Sequence, residues 1–412
     1  MPPRRPSPSV RVLGVYLNER EVGTLTHLPG ESTVFVFSED YVADPLRPTL
    51  SLSFKTADGG IASRSRPTHL KVPPFFSNLL PEGHLREYLA EKGGVNPQRE
   101  FFLLWLLGQD LPGALVVRPA EGEAIPPEAT EDVHHKARMA EAFRFSLAGV
   151  QLKFSALMES DGGLTIPARG VGGSWIVKLP SARHASVPEN EYVMMELARE
   201  VGLRVPDVKL VPTGEIAGLP SEIALAGPTL AVRRFDRDAQ GRRIHTEDFA
   251  QVFDVFPADK YAKASYENLA SVLWAEAARS DVAEFARRLA FSALIGNGDM
   301  HLKNWSLIYR DGRTAELAPA YDFVSTVPYI ADDRMALSLG GTKNWAAVSV
   351  ELFRRFAAKA GVSENLVVEA ARETAGRLGH AWEHHEVVRR LPDWLRKRTA
   401  EHMRSVPLSR AE

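Results

Sequence analysis

The polar segment at residues 298–304 lies between two apolar segments, and this arrangement most restricts the fold of this chain. Residues 285–295 have the apolar spacing of a buried helix, which the sequence Gly296-Asn297-Gly298 ends. Residues 305–309 form an apolar strand. Asp299 and Asn304 lie between the two. Because loops held between buried elements tend to carry function, we interpret this segment as an active-site loop. The alternative interpretation is a purely structural loop.

The spacing of three residues in this region predicts phosphoryl transfer. Asp299 is followed by Asn304 at the spacing of the kinase H-R-D-x-x-x-x-N loop, and Asp322-Phe323 would replace the Asp-Phe of D-F-G. Transfer from ATP needs a carboxylate that orients and deprotonates the acceptor hydroxyl. It also needs an amide oxygen and a second carboxylate that hold Mg²⁺. The pattern therefore indicates a phosphotransferase.

Composition excludes several other classes of protein. The chain of 412 residues has a formal net charge of −2, which gives no electrostatic case for bulk binding to nucleic acid or membrane. It has no cysteine, which excludes disulfides and thiol nucleophiles and suits a reducing cytoplasm. The N-terminus lacks the apolar core of a secretory signal, and no apolar run is long enough for a membrane span. We expect a cytoplasmic protein.

The pattern along the chain predicts several units. A small α+β N-terminal unit covers residues 1–118, and a polar, Pro-rich linker covers 119–138. A β-rich nucleotide-binding part at 139–236 precedes a mainly helical part at 237–412. The predicted elements are strands at 12–17, 22–25, 34–37, 114–117, 175–178, 208–211 and 230–232 and helices at 83–89, 101–107 and 190–201. Thr246 is predicted to be the N-cap of a helix that begins with Glu247 and Asp248.

Two stretches of the β-rich part are candidates for phosphate binding. Lys178 ends an apolar strand, where its ammonium could reach phosphates or simply extend to solvent. Glu191 or Glu196 on the next helix could pair with it, and Glu191 is preferred. Residues 146–153, Ser-Leu-Ala-Gly-Val-Gln-Leu-Lys, would let backbone N–H groups approach phosphate oxygens, although they match no Walker motif.

Together these motifs make the chain resemble the HipA family, the kinase toxins of bacterial type II toxin–antitoxin pairs. The resemblance runs nearly end to end. It rests on residues 146–153, 175–178, 190–192, 234–237, 247–249, 298–304 and 321–322, and on the N-terminal segments 75–83 and 108–115. It implies an α+β, bilobal, protein-kinase-like (phosphoinositide-kinase-like) fold, with a small α+β N-terminal subdomain and a helical C-terminal lobe.

The resemblance also implies a role for individual residues of a protein serine/threonine kinase that uses ATP and Mg²⁺. Asp299 would be the catalytic base, Asn304 and Asp322 would bind Mg²⁺, and Ser146 would be the autophosphorylation site that switches the enzyme off. Arg233 stands where many relatives have Glu at the first position of the hinge beside adenine. The residues implied to bind nucleotide are Ala148, Gly149, Val150, Gln151, Leu152, Lys153, Lys178, Arg233, Arg234, Phe235, His301, Lys303 and Tyr321.

The implied partners are proteins. The family phosphorylates translation components, notably aminoacyl-tRNA synthetases, and thereby arrests growth. Its usual partner is a helix-turn-helix (HipB-like) antitoxin that binds operator DNA. Two other functions stay open: a small-molecule phosphotransferase, and an inactive kinase-like module that acts with antitoxin and DNA.

Overall fold

The protein is described by a computed structural model that covers residues 10–62, 66–124, 153–158, 164–165, 173–181, 183–219 and 227–410. The predicted residues Ser146 and Ala148 to Leu152 lie outside the described residues. Lys153 is described only as the first residue of a strand. In the described part of the chain, no helix combines the length and apolarity needed to cross a membrane.

The first unit is an antiparallel sheet covered by short helices. Its strands have the order β4-β3-β2-β1-β5, and the predicted hairpin of the first two strands is confirmed. Its core buries phenylalanines of the sheet and of two helices, including Phe35, Phe75 and Phe101. The strands are β1 (Val12–Leu17), β2 (Arg20–Leu28), β3 (Ser32–Phe37), β4 (Thr68–His69) and β5 (Leu115–Pro119), and the helices are α1 (Glu39–Ala43), α2 (Pro74–Ser77), α3 (Gly83–Lys92) and α4 (Glu100–Leu107).

The second unit is a sheet with one helix against it. Its strand order in the described residues is β10-β7-β6-β8-β11-β9. Strand β8 buries Trp175 and Val177, and Ile176 between them is partly exposed, as expected for a strand with one covered face. The strands are β6 (Lys153–Met158), β7 (Leu164–Thr165), β8 (Trp175–Lys178), β9 (Val208–Pro212), β10 (Ile216–Ala217) and β11 (Pro228–Arg233), and the helix is α5 (Val187–Glu200).

The third unit is mainly helical and holds the largest core. A small sheet in the order β12-β13-β14 lies beside the loop predicted to be catalytic. Its strands are β12 (His245–Asp248), β13 (Ser306–Tyr309) and β14 (Glu316–Leu317), and its helices are α6 (Phe249–Val252), α7 (Tyr266–Glu276), α8 (Arg279–Ile295), α9 (Val350–Ala360), α10 (Glu364–His384) and α11 (Asp393–Ser405).

The prediction that Thr246 caps a helix is wrong. Thr246 lies inside β12, paired with Ile308 of β13, and the N-cap of α6 is Asp248. The Asp248 carboxylate accepts from the backbone N–H of Gln251, and the Gln251 amide oxygen accepts from the backbone N–H of Asp248. Pairing with a strand some sixty residues further on therefore decides the start of this helix.

The N-terminal unit docks on the helical unit through buried polar groups. The carboxylate of Glu247 on β12 accepts from Ser51 at 2.5 Å and from the backbone N–H of Leu52 at 3.0 Å. The amide of Asn78 donates to the carbonyl of Val255 at 2.7 Å. Since buried polar groups are costly to leave unpaired, these bonds fix the orientation of the two units.

Candidate active site

The candidate catalytic loop is held between α8 and β13. Helix α8 buries Phe285 and Phe291 completely and ends at Gly296, which has the left-handed φ of 67°. Strand β13 is buried at all four positions. Two rigid elements therefore define the ends of the loop, and the predicted helix–loop–strand arrangement is confirmed.

Asn297 ties the loop to the segment that carries Asp322. Its side-chain oxygen accepts from the backbone N–H of Asp299 at 3.2 Å, and its side-chain nitrogen donates to the backbone carbonyl of Asp322 at 3.3 Å. Asn297 is only 1% exposed. Sequence reasoning missed this residue because it interpreted the asparagine as part of a helix end. An asparagine two residues before Asp299, between two glycines, is the sequence signal that could have found it.

Replacing Asn297 by Ala is expected to lower kcat for the predicted phosphate transfer about 100-fold. Small displacements of catalytic groups have effects of that size. The substitution also leaves two backbone groups without partners, which costs about 1–3 kcal/mol of stability. Steady-state kinetics and urea unfolding measure both effects. Asn268→Ala is the control. It removes the side chain whose oxygen accepts from Ser265 at the start of α7, so it should lower stability but not kcat. Equal losses of kcat in both variants would contradict the role of Asn297.

The carboxylate of Asp299 is accessible and has one fixed oxygen. Its side chain is 55% exposed, and Oδ1 accepts from the Tyr261 hydroxyl at 2.5 Å. The Nε2 atom of His301 lies 4.0 Å from the same oxygen. Burial lowers the pKa of His301 to about 4, despite the opposing effect of the Asp299 charge, so this imidazole is neutral at physiological pH. Sequence reasoning missed Tyr261, which lies in a turn with no motif.

The two predicted metal ligands present oxygen atoms. The side-chain nitrogen of Asn304 donates to the backbone carbonyl of Asp299 at 2.7 Å, so its oxygen is the atom left to bind a ligand. Asp322 has a φ of 58°, an uncommon conformation that aspartate tolerates better than most residues and that clusters at functional sites. Its carboxylate is 20% exposed.

Lys178 of the β-rich unit contacts two acidic residues, one in the same unit and one in the helical unit. Its ammonium donates to Glu191 of α5 and to Asp322. Lys178 and Glu191 are nearly completely buried. Although burial alone would lower the pKa of Lys178, the charges of Asp322 and Glu191 outweigh it and raise that pKa, so the ammonium stays charged. The preference for Glu191 is confirmed, whereas Glu196 faces Arg199 at 3.5 Å.

These groups line one cavity of about 220 Å³. Lys178, Glu191, Asp299 and Asp322 form its charged part. Apolar side chains such as Ile330 also line it. The residues predicted to be the base, the phosphate-binding cation and a metal ligand thus line the same space, although they come from two different units.

The residues implied to form the hinge join the units. Phe235 stacks on Tyr321, with ring centroids 5.7 Å apart. Arg234 is buried and its guanidinium donates to Asp236, whereas Arg233 is exposed and lies 3.3 Å from Asp207. The arginine side chains therefore have structural partners, and a nucleotide contact by Arg233, Arg234 or Phe235 remains a prediction.

Two other residues implied to bind nucleotide have structural partners as well. The hydroxyl of the half-buried Tyr321 donates to the backbone carbonyl of Lys303 at 2.9 Å. The Lys303 ammonium contacts the carboxylate of Glu82 at 2.6 Å. These contacts attach the loop to the segment that carries Asp322 and to the N-terminal unit. Nucleotide contacts by Lys303, Tyr321 and His301 remain predictions.

The donor set fits magnesium. Mg²⁺ prefers hard oxygen ligands and is usually held by one or two carboxylates together with substrate phosphates. Asn304 and Asp322 offer one amide oxygen and one carboxylate. Within the described residues, no group of three His, Asp or Glu side chains could form a metal site without further ligands. Such a site would need phosphate oxygens to complete the coordination of the metal.

Comparison with known proteins adds independent findings. The family model described as the HipA-like C-terminal domain matches residues 145–382, and the HipA N-terminal domain matches residues 13–118. A Sinorhizobium fredii protein named as a kinase, Y4dM, is 55% identical over 380 residues, which cover 91% of this chain and 92% of that protein. The serine/threonine-protein kinase toxin HipA of Shewanella oneidensis is 25% identical, with 90% and 88% of the two chains covered.

A solved structure shares the fold. The toxin–antitoxin complex of Shewanella oneidensis HipA and HipB with operator DNA contains a chain that matches with a TM-score of 0.74 at 23% identity. The match covers 96% of both chains. The predicted α+β, bilobal, kinase-like fold is therefore confirmed over nearly the whole length of the chain.

Proposed function

Because this chain belongs to the HipA family of kinases, we propose that it is an Mg-ATP-dependent protein serine/threonine kinase that arrests growth as a toxin. One observation carries the proposal: Lys178 contacts both Glu191 and Asp322 in the cavity that Asp299 also lines. In kinases the Lys–Glu pair and the metal-binding Asp must both be in place for transfer. Their convergence argues against an inactive binding module.

Asp299 is proposed to be the catalytic base. Its accessible carboxylate can accept a hydrogen bond from the acceptor hydroxyl, align that hydroxyl with the γ-phosphate and take its proton. The Tyr261 hydroxyl holds one carboxylate oxygen. This leaves the second oxygen for the acceptor.

Lys178, Asn304 and Asp322 are proposed to hold the nucleotide. The Lys178 ammonium would bind phosphate oxygens as a point charge. Asn304 and Asp322 would hold Mg²⁺, which neutralises phosphate charge when bound. Glu191 keeps the buried Lys178 in position, and its negative charge helps to keep the ammonium charged. Residues 148–153 would cover the phosphates through their backbone N–H groups.

The proposed partners follow from the family. The Shewanella oneidensis toxin is solved with HipB and operator DNA, and we propose a HipB-like helix-turn-helix antitoxin that brings this chain to DNA. The proposed substrate is a protein of translation, such as an aminoacyl-tRNA synthetase, in the cytoplasm. The N-terminal subdomain distinguishes the chain from small-molecule phosphotransferases, which lack such a unit.

Transfer from γ-labelled ATP tests the proposal directly. The purified chain is incubated with labelled Mg-ATP, first alone and then with a lysate depleted of nucleotides. Label in protein bands that resists hydroxylamine and is recovered as phosphoserine or phosphothreonine supports a protein kinase. Label found only in small molecules would indicate the alternative phosphotransferase, and no label at all would indicate an inactive module.

Ser146→Ala is expected to abolish autophosphorylation and to prolong activity. A phosphate adds nearly two negative charges beside the ATP phosphates, which would repel them and displace the loop. Phosphopeptide mapping after incubation with ATP measures the modification. Ser155→Ala, in the strand that follows, is the matched control. An unchanged phosphopeptide map in Ser146→Ala would refute this site.

A further inference from the structure

The segment at residues 75–83 has no part in the chemistry proposed above. It begins in α2, where Phe75 and Phe76 are completely buried in the core of the N-terminal unit. It contains Glu82, the residue directly before α3. Its last residues leave that core and reach the catalytic loop of the helical unit.

Glu82 binds two lysines of the helical unit at once. Its Oε1 atom accepts from the Lys303 ammonium at 2.6 Å, and its Oε2 atom accepts from the Lys260 ammonium at 2.9 Å. Lys303 also donates to the backbone carbonyl of Asn78 at 3.1 Å. Each carboxylate oxygen of Glu82 therefore has its own cation.

Both lysines are chain neighbours of residues in the active site. Lys303 directly precedes Asn304, the proposed metal ligand. Lys260 directly precedes Tyr261, whose hydroxyl holds the carboxylate of Asp299. The backbone N–H of Leu302 also donates to the carbonyl of Lys260 at 3.2 Å, which joins the two segments. One side chain of the N-terminal unit is thus connected to both functional ends of the loop.

The opposite charges of Glu82 and the two lysines stabilise this contact. The Lys303 and Lys260 side chains are 15% and 21% exposed. Burial would raise the pKa of Glu82, but the charges of Lys303 and Lys260 outweigh it and lower the pKa to about 2. The carboxylate is therefore ionised at every pH at which a kinase is assayed. Partly buried charge-assisted bonds of this kind hold geometry more firmly than exposed pairs do.

We propose that Glu82 is a positioning residue through which the N-terminal subdomain sets the geometry of the catalytic loop. The inference rests on the proposed kinase function. Other bonds dock the subdomain without Glu82, including the Gln251 amide on the carbonyl of Phe75 at 2.9 Å and Asn78 on Val255. Loss of the Glu82 charge therefore loosens the loop while the units stay together.

Glu82→Gln tests the proposal against a matched control. Glu276→Gln neutralises the ion pair of Lys55 and Glu276, whose atoms lie 2.5 Å apart. This pair also joins the N-terminal and helical units, but it touches no residue of the proposed active site. We expect Glu82→Gln to lower kcat about 10- to 100-fold, with KM for ATP changed less than about threefold, because alignment and not nucleotide binding is lost. Glu276→Gln should keep the kcat of the unmodified protein.

Hydrogen exchange provides a readout that needs no activity. Backbone N–H groups of residues 299–304 should exchange faster in Glu82→Gln than in Glu276→Gln, since the loop has lost its contact to the subdomain. Equal exchange in the two variants, or an unchanged kcat in Glu82→Gln, would overturn the positioning role. If the unmodified chain transfers no phosphate, the proposed function fails, whereas the exchange comparison still decides whether Glu82 holds the loop.

Discussion

Asp299→Asn should lower phosphate transfer by about 10²- to 10⁴-fold, the range that a general base contributes. Asparagine has nearly the same shape as aspartate, and it can still accept from the Tyr261 hydroxyl. The loop is held by Asn297 through the backbone of residue 299, which the substitution does not change. The variant should therefore fold normally and lose only the group that accepts the proton.

Two assays of Asp299→Asn distinguish the loss of a catalytic base from the loss of a metal ligand. Initial rates with labelled ATP measure transfer, and calorimetry with Mg-ADP measures nucleotide binding. Binding should be unchanged in Asp299→Asn, since Asp299 is not proposed to touch the metal. Asp393→Asn, at a side chain that is 93% exposed, is the matched control and should match the unmodified protein in both assays. Turnover of Asp299→Asn comparable to that of the control would be fatal to the assignment.

Lys178→Met should remove both activity and much of the stability. Activity is lost because no cation remains to bind the phosphates. Stability falls by about 3–5 kcal/mol, because the buried Glu191 carboxylate loses its ion pair with the Lys178 ammonium. Lys209→Met, at an exposed lysine of β9 in the same sheet, should change neither property by much. Urea unfolding and labelled-ATP transfer measure the two effects.

A second substitution separates the two effects. In Lys178→Met with Glu191→Gln the buried negative charge is gone, so we expect most of the lost stability to return, since a neutral amide is less costly to bury than a carboxylate. Transfer should stay absent, because the phosphate-binding cation is still missing. A double variant as unstable as Lys178→Met would show that Glu191 is not the source of the loss. A double variant that regains transfer would contradict the role of Lys178.

The regular elements near the site were predictable because their signals are local. The period of apolar residues predicted α8 and β13, and strand 175–178 was predicted at its observed bounds. The pair of Lys178 and Glu191 was predictable too, since a strand end and the next helix leave few geometric choices. Thr246 was predicted wrongly, because β12 exists only through its pairing with β13.

Local patterns in the sequence were enough to identify the residue types that could carry phosphoryl transfer and the spacing of Asp299, Asn304 and Asp322. The contacts of Lys178 with Asp322, of Tyr261 with Asp299 and of Glu82 with Lys303 exist only in the folded chain. These contacts join residues that are distant in the chain, and they depend on how the three units pack against one another. Apolar periodicity fixes which face of an element is buried but carries no information on which polar side chain of another unit will meet it.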